Sequence, residues 1–226
     1  MRRTPGCGVA RNPAYGFPDV GRGRHAGYAD QRELILERAA ALFAKGGYPG
    51  TSMNQVAEAC GLSKATLYHY FRDKYALLVS ITEGHVQRLQ RIVDEAIAEE
   101  QDPQGQMRAL IRRLVEEYAN AQNEHRVLTE DVKFLEEADR KRVLDMERDV
   151  VNGFARVVAA LRPDLKEAAM SKPLTMLLFG MINWMFTWMR PGGSLAYDDM
   201  APVVADLFLG GLEKVQAPLT TAAAIE

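Results

Sequence analysis

Cysteine is nearly absent: Cys7 and Cys60 are the only two thiols in 226 residues. They cannot staple a chain of this length, which excludes a disulfide scaffold and makes a reducing cytoplasm the natural compartment. Histidine is almost as scarce, and His25, His69, His85 and His125 show no metal-ligand spacing, so neither a metal nor a cofactor is implied. No glycine-rich phosphate loop and no nucleophile elbow is present, which leaves an enzyme without residues to stand on. The start of the chain lacks the apolar run of a signal peptide. Only one long uncharged stretch occurs, LTMLLFGMINWMFTWM from Leu174 to Met189. It is shorter than the ~20 residues that span a bilayer, and Gly180 and Asn183 interrupt it, so a membrane span is excluded.

What is present is helical periodicity, and the densest local signal lies in TSMNQVAEACGLSKATLYHYFRDKYALL, Thr51 to Leu78. Thr51 and Ser52 are hydroxyl caps, and Gln55 stands three residues after Ser52 as the partner of a capping box. Met53, Val56, Ala57 and Cys60 then form one buried stripe at helical spacing. Gly61 is placed to close that helix in the left-handed conformation, and Ser63 is the next cap. A second helix over Lys64 to about Phe71 follows after a three- or four-residue turn, the spacing of a helix-turn-helix. Leu67 and Phe71 anchor this helix at i, i+4. Its other face carries Lys64, Ala65, Thr66, Tyr68 and His69, with Tyr70 near the end. A cation and hydroxyls suit phosphates, while Ala65 and ring edges suit thymine methyls. The same aromatic face would also suit a helical adaptor that binds protein and never meets DNA.

At these residues the sequence resembles the DNA-binding domain of the TetR family of bacterial transcriptional regulators. GLSKATLYHYFRDKYALL, preceded by TSMNQVAEAC and by a helix ending at FAKGGYPG, matches it over about Glu33 to Leu78, including a YxYF element followed by a lysine. The resemblance implies that Lys64 to Phe71 is the recognition helix, that Thr51 and Ser52 contact phosphates, and that Lys74 is a further backbone contact. It places Tyr68, His69 and Tyr70 where family members touch bases and phosphates, and it keeps Phe71 structural.

An even overall charge, 28 Lys and Arg against 30 Asp and Glu, conceals segregation. The first 80 residues hold 11 basic and 6 acidic side chains, a net of +5, and the remainder 17 and 24, a net of −7. The basic end therefore sits beside the proposed DNA helix. Arg2, Arg3, Arg11, Arg22 and Arg24 lie in a Gly-, Pro- and Arg-rich stretch without apolar period, so residues 1–29 are expected to be a disordered basic tail. Such a tail either follows the DNA backbone as an arm or is dispensable, as it would be if the start codon were placed too far upstream. Asp30 is the expected cap of a first helix through Ile35, Ala39, Leu42 and Phe43, stopped at Gly46-Gly47, with Arg32 near its start.

The expected fold class is all-α. A three-helix helix-turn-helix domain over residues 30–75 precedes a larger helical domain over 76–216 and a flexible end over 217–226. Stripes at Leu78 to Ala96, Met107 to Tyr118, Leu128 to Leu135 and Val143 to Leu161 mark successive helices, the last ended by Arg162-Pro163. The helix after Lys74 is the expected lever between the domains. The all-apolar Leu174 to Met189 helix is expected to pack against the core on one face and a second subunit on the other, with a last helix near Asp198 to Val215 completing a four-helix homodimer contact. A twofold dimer presents two recognition helices to double-stranded DNA and predicts a palindromic operator.

For the larger domain the family resemblance implies a small-molecule effector whose binding releases DNA. Phe134, Phe179, Trp184, Met185 and Trp188 are candidates to line its cavity, with Asn183 or Asn120 as polar handles. FGMINWMFTWMRPGG followed by a helix ending DLFLGGL resembles the TetR regulators that answer to acyl-CoA thioesters. That resemblance calls for cations at the pocket mouth, with Arg108, Arg112, Arg113 and Arg148 as candidates. A regulator that senses a hydrophobic drug-like compound is the alternative.

Overall fold

The computed structural model describes residues 20–189 and 195–217, and the described residues form ten α-helices and one 3-10 turn with no strand. Arg2, Arg3 and Arg11 of the expected basic tail lie outside the described residues, as do residues 218–226. Helix α1 is Val20–Gly46. It starts ten residues before the expected cap, so Asp30 lies within a helix and residues 20–29 are helical rather than irregular.

Helices α2 (Met53–Ala59) and α3 (Lys64–Tyr70) form the tight pair. Ser52 caps α2 through a complete capping box: its Oγ accepts from the Gln55 N–H (3.3 Å), and Gln55 Oε1 accepts from the Ser52 N–H (2.8 Å). The far end closes as a Schellman motif, with Gly61 at φ +64. The Leu62 N–H donates to the Ala57 carbonyl (2.9 Å) and the Gly61 N–H to the Glu58 carbonyl (3.0 Å). A side chain at Gly61 would be forced into a conformation that L-residues rarely adopt. The turn angle between α2 and α3 is therefore set by backbone hydrogen bonds within five residues of each other.

Helix α4 (Lys74–Glu99), capped by Asp73, runs from the end of α3 into the larger domain. It packs against α5 (Pro103–Asn120), α6 (Gln122–Asp131) and α7 (Glu137–Leu161), while α1 rests on α4 and α6. The α6 stripe stops at Asp131; Val132–Phe134 is a 3-10 turn, and Leu135 lies beyond it. Pro163 does more than end α7: placed at the first helical position, where its missing N–H costs nothing, it opens the short α8 (Pro163–Glu167). Helix α9 (Ser171–Trp188) covers α7, and α10 (Tyr197–Lys214) covers α5.

The crossing of α4 and α7 depends on one glycine. A Cβ built on Gly153 would fall well inside the van der Waals envelope of Val93 Cγ1. Gly153→Ala is expected to lower stability by about 1–3 kcal/mol through overpacking, although alanine is the better helix former. Val93→Ala in the same chain should return most of that loss. Denaturant melts of the two single variants and the double variant check it, and additive losses would show that the two residues do not meet.

Candidate nucleic-acid interface and effector cavity

Ser63 caps α3 by accepting from the Thr66 N–H (3.1 Å), while Leu67 (fully buried) and Phe71 fix its inner face. Lys64, Ala65, Thr66, Tyr68 and His69 are exposed together on the outer face, and the Lys64 ammonium lies 5.9 Å from the Tyr68 ring centre. Tyr70 is different. Half-buried, its ring stacks on that of Tyr28 (4.6 Å, 22°), and His69 meets Tyr28 edge-on. Tyr28 belongs to the stretch expected to be disordered, so its place against α3 was not visible in the sequence. Tyr70 thus braces α3 on α1 instead of standing free.

Two neighbours expected to touch phosphate, Thr51 and Lys74, are committed within the protein, and so is Arg32 near the end of α3. Thr51 is buried, and its hydroxyl donates to the Gly47 carbonyl (3.0 Å), so it ties the α1–α2 turn rather than pointing outward. The Lys74 ammonium donates to the carbonyls of Tyr48 (2.8 Å) and Pro49 (3.2 Å) and lies over the Tyr48 ring at 4.4 Å. Arg32 packs its guanidinium over Phe71 (5.0 Å) and donates to Ser80 Oγ. Ser52 is the one of the two hydroxyl caps that is exposed.

Tyr48, in the turn between α1 and α2, joins the two halves of the molecule. Besides Lys74, its ring meets Phe43 (5.3 Å) and Phe134 (5.6 Å). Burial pushes Asp131, at the end of α6, above its ordinary value, although the nearby Tyr48 backbone works the other way. Phe134, expected in the effector cavity, is thus at the domain junction, where the 3-10 turn after α6 carries it. A second tie lies at the start of α4. The Tyr75 hydroxyl donates to Asp139 Oδ2 (2.6 Å) and accepts from the Glu136 N–H (2.9 Å), and burial together with that carboxylate pushes Tyr75 up to about 12.

A cavity of about 150 Å³ lies among α4, α5, α6, α7 and α9. Leu89, Leu128, Val150, Val151, Met176 and Phe179 form its apolar wall; Tyr118, His125, Thr129, Glu147 and Asn183 supply polar groups. Phe179, held edge-on to Phe154 at 5.0 Å, and Asn183 are the two sequence candidates at this cavity. Trp184 and Trp188 are not. They are 68% and 50% exposed and, with Met176, Leu177, Met181, Val203 and Leu207, line an open apolar groove between α9 and α10. Leu174, Leu178, Ile182 and Met185 take the opposite, buried side of α9. Arg112 lies elsewhere, in a groove of about 700 Å³ between α5 and α10. That groove also holds Glu100, Glu116 and Asp198, and its Arg108 is paired with Asp206 (2.7 Å), so it presents no net positive field. Arg113 pairs with Glu95 and Glu99, and Arg148 with Asp145.

Behind His125 and Tyr118 of the cavity wall lies a buried polar cluster that the sequence did not single out. His85, fully buried in the α4 stripe, places Nε2 3.3 Å from His125 Nδ1, and its own Nδ1 lies 3.6 Å from Glu117 Oε1, which also accepts from Arg88 Nε (2.8 Å). The His125 ring stacks on Tyr118 at 3.9 Å. Burial, helped by the neighbouring His85, pushes His125 down to about 3, so it is neutral at physiological pH. Burial alone would raise Glu117, but its hydrogen bonds to His85 and Arg88 outweigh that and hold the carboxyl below its ordinary value. A histidine at a core position of an apolar stripe was the available signal, because a buried polar side chain needs a partner.

Known proteins share this fold. Residues 35–81 match the family model described as bacterial regulatory proteins, tetR family, and residues 100–212 match the tetracyclin repressor-like C-terminal domain. The HTH-type transcriptional repressor KstR2 of Mycobacterium tuberculosis H37Rv is 28% identical over 201 residues, covering 84% of this chain and 98% of that protein. A TetR-family transcriptional regulator from Bordetella parapertussis 12822 superposes with a TM-score of 0.75 at 34% identity, over 82% of this chain and 97% of that one. AibR, in its complex with isovaleryl coenzyme A and operator DNA, shares the fold with a TM-score of 0.67 at 22% identity, over 78% of this chain and 97% of that one. With both the DNA-binding and the C-terminal parts matched, the chain belongs to the TetR family of bacterial transcriptional regulators.

Proposed function

We propose that the protein is a cytoplasmic repressor that binds a palindromic operator as a homodimer and is released from it by an acyl-CoA thioester. The observation that carries this reading is that α6 belongs to both sites. His125, Leu128 and Thr129 line the cavity, and the 3-10 turn that ends the same helix carries Phe134 against Tyr48, in the turn that leads into α2. An effector that displaces α6 thereby loosens the seat of the DNA-binding unit, while α4, rooted in the core and joined to the end of α3 through residues 71–73, swings it. Linkage then requires the effector to favour the conformation that does not fit the operator.

In this reading residues 30–75 form the DNA-reading unit and 76–216 the sensing and dimerisation unit. Lys64, Ala65, Thr66, Tyr68 and His69 enter the major groove, with Ser52 on the phosphate backbone. The exposed α9–α10 groove is the twofold contact. The repressors named KstR2 among its relatives and the thioester bound to AibR support the choice of repressor and of acyl-CoA. The protein acts as a regulator and not as a catalyst, as its relatives do.

A gel-shift titration with DNA from the protein's own promoter tests it. Affinity is expected to fall steeply with salt, as phosphate contacts demand, and to be lost on adding one of a panel of short-chain, aromatic and long-chain acyl-CoAs. Salt-independent binding would instead indicate a protein adaptor. DNA binding that no thioester relieves would refute the effector assignment.

A further inference from the structure

The inner stripe of α1 does not stop where the core does. Ile35 and Ala39 are fully buried, and the same helical face carries Arg32 and Tyr28 about one and two turns nearer the start, at i−3 and i−7 from Ile35. These two meet the end of α3 in order. Arg32 lies over Phe71, the residue that closes α3, and Tyr28 stacks on Tyr70, one residue further back. The early part of α1 is thus laid along the end of α3, beside the exposed His69.

Three rings close a triangle there. Tyr28 and Tyr70 are stacked (4.6 Å, 22°), and His69 stands edge-on both to Tyr28 (6.3 Å, 88°) and to Tyr70 (5.8 Å, 82°), all within the range in which aromatic pairs attract. His69 and Tyr70 are neighbours in the chain, whereas Tyr28 comes from another helix and is the part that fixes the other two. Tyr28 itself is 41% exposed, so the triangle is no piece of the core and contributes little to the fold. Its effect is on a side chain of the outer face. With Tyr28 in place the His69 imidazole is held between two rings and keeps one free side; without it, the ring keeps only its chain neighbour and regains rotamer freedom.

From this geometry we infer that Tyr28 is a specificity-determining positioning residue of the DNA-reading face: it sets the direction in which His69 presents its ring to a base edge. It acts through its stack on Tyr70 and its edge contact with His69, and not through its hydroxyl. The inference rests on the reading of α3 as the helix that enters the major groove, and adds to it a residue of α1. A ring held in place before binding has less freedom to lose on DNA, and that gain is realised only where the base facing His69 is the right one. Phosphate contacts, which hold every sequence alike, do not depend on it.

Fluorescence anisotropy with the full-length protein tests it, on promoter DNA and on an unrelated duplex of equal length. The proteins compared are the parent, Tyr28→Ala, Tyr28→Phe, His69→Ala and the Tyr28→Ala/His69→Ala double variant. Alanine is the best helix former, so Tyr28→Ala keeps α1 helical, which circular dichroism checks. Tyr28→Ala is expected to weaken promoter binding by at least ~5-fold, since one side chain is left to order in each half of the dimer, and to leave binding of the unrelated duplex within about twofold of the parent. Tyr28→Phe, which keeps the stack, should discriminate like the parent, and the double variant should bind the promoter no worse than His69→Ala alone. Additive losses in the double variant, a Phe variant as weak as the Ala variant, or equal losses on both duplexes would overturn the inference in favour of a direct contact or a purely structural role. Parental promoter binding by Tyr28→Ala would overturn it too, with the reading of α3 left standing. A parent that does not tell the promoter from the unrelated duplex would remove that reading and the inference together.

Discussion

Lys64→Ala or Tyr68→Ala is expected to abolish the shift of promoter DNA while leaving the subunits paired and the melting temperature within a degree or two of the parent. Both side chains are exposed on the outer face of α3, and Leu67 and Phe71, which hold the helix, are untouched. Truncating an exposed residue that packs against nothing changes stability little. A contact to a base edge, by contrast, is worth about 1–3 kcal/mol, and a twofold dimer loses it twice, so affinity should fall by at least ~30-fold. The two residues also act on each other. With its ammonium 5.9 Å from the Tyr68 ring, Lys64 loses a cation–π partner when Tyr68 is truncated, and the double variant should lose less than the sum of the singles. Thr51→Ala supplies the contrast: it removes a buried hydrogen bond of the α1–α2 turn, so its signature is lost stability. Unchanged DNA binding by both α3 variants would refute the recognition-helix assignment.

Trp184→Asp is expected to split the homodimer and, with it, binding to the palindrome. Trp184 is 68% exposed in the single chain, and Leu177 and Leu207 beside it are each 65% exposed, a concentration of large apolar side chains that a solitary protein rarely leaves in water. Among the described residues no helix is long and apolar enough to cross a membrane. If a second copy covers it, a carboxylate there is buried without a partner, a change that costs at least about 3 kcal/mol in each subunit. Sedimentation should show monomers at micromolar concentration, still helical and with the cavity intact, and the promoter shift should vanish because each half-site is then bound alone. A Trp184→Asp protein that sediments like the parent would place the twofold contact elsewhere. Arg112→Ala, in the separate groove between α5 and α10, should leave the dimer as it is.

How legible these features were depended on how far apart their parts lie in the chain. The helix-turn-helix was legible almost to the residue, because the capping box at Ser52, the glycine close at Gly61 and the cap at Ser63 each act within five residues. The apolar stripes of α4, α5 and α7 were legible for a related reason: a 3.6-residue period shows which side of a helix is covered. It does not show what covers it. Trp184 and Phe179 are five residues apart on one apolar helix, yet one faces outward and the other meets Phe154. Thr51 and Lys74 carried the expected chemistry for phosphate, and each instead satisfies carbonyls of the α1–α2 turn. Phe134 looked like pocket lining because it is aromatic, but the 3-10 turn after α6 carries it to Tyr48.

The sequence by itself determined an all-helical chain with a basic, DNA-reading front and a longer acidic helical body, since caps, turns, helical period and charge are local properties that survive without tertiary contacts. Only the tertiary structure decided the buried polar cluster behind the cavity. His85, Glu117 and His125 stand on three different helices, separated by 32 and 8 residues, and nothing in their spacing announces a group. They meet because α4 packs against both α5 and α6. The same packing turned Tyr48 from a loop aromatic into the joint between the two halves. Side chains that act through long-range neighbours acquire their chemistry from the fold, whereas the recognition helix carries its own.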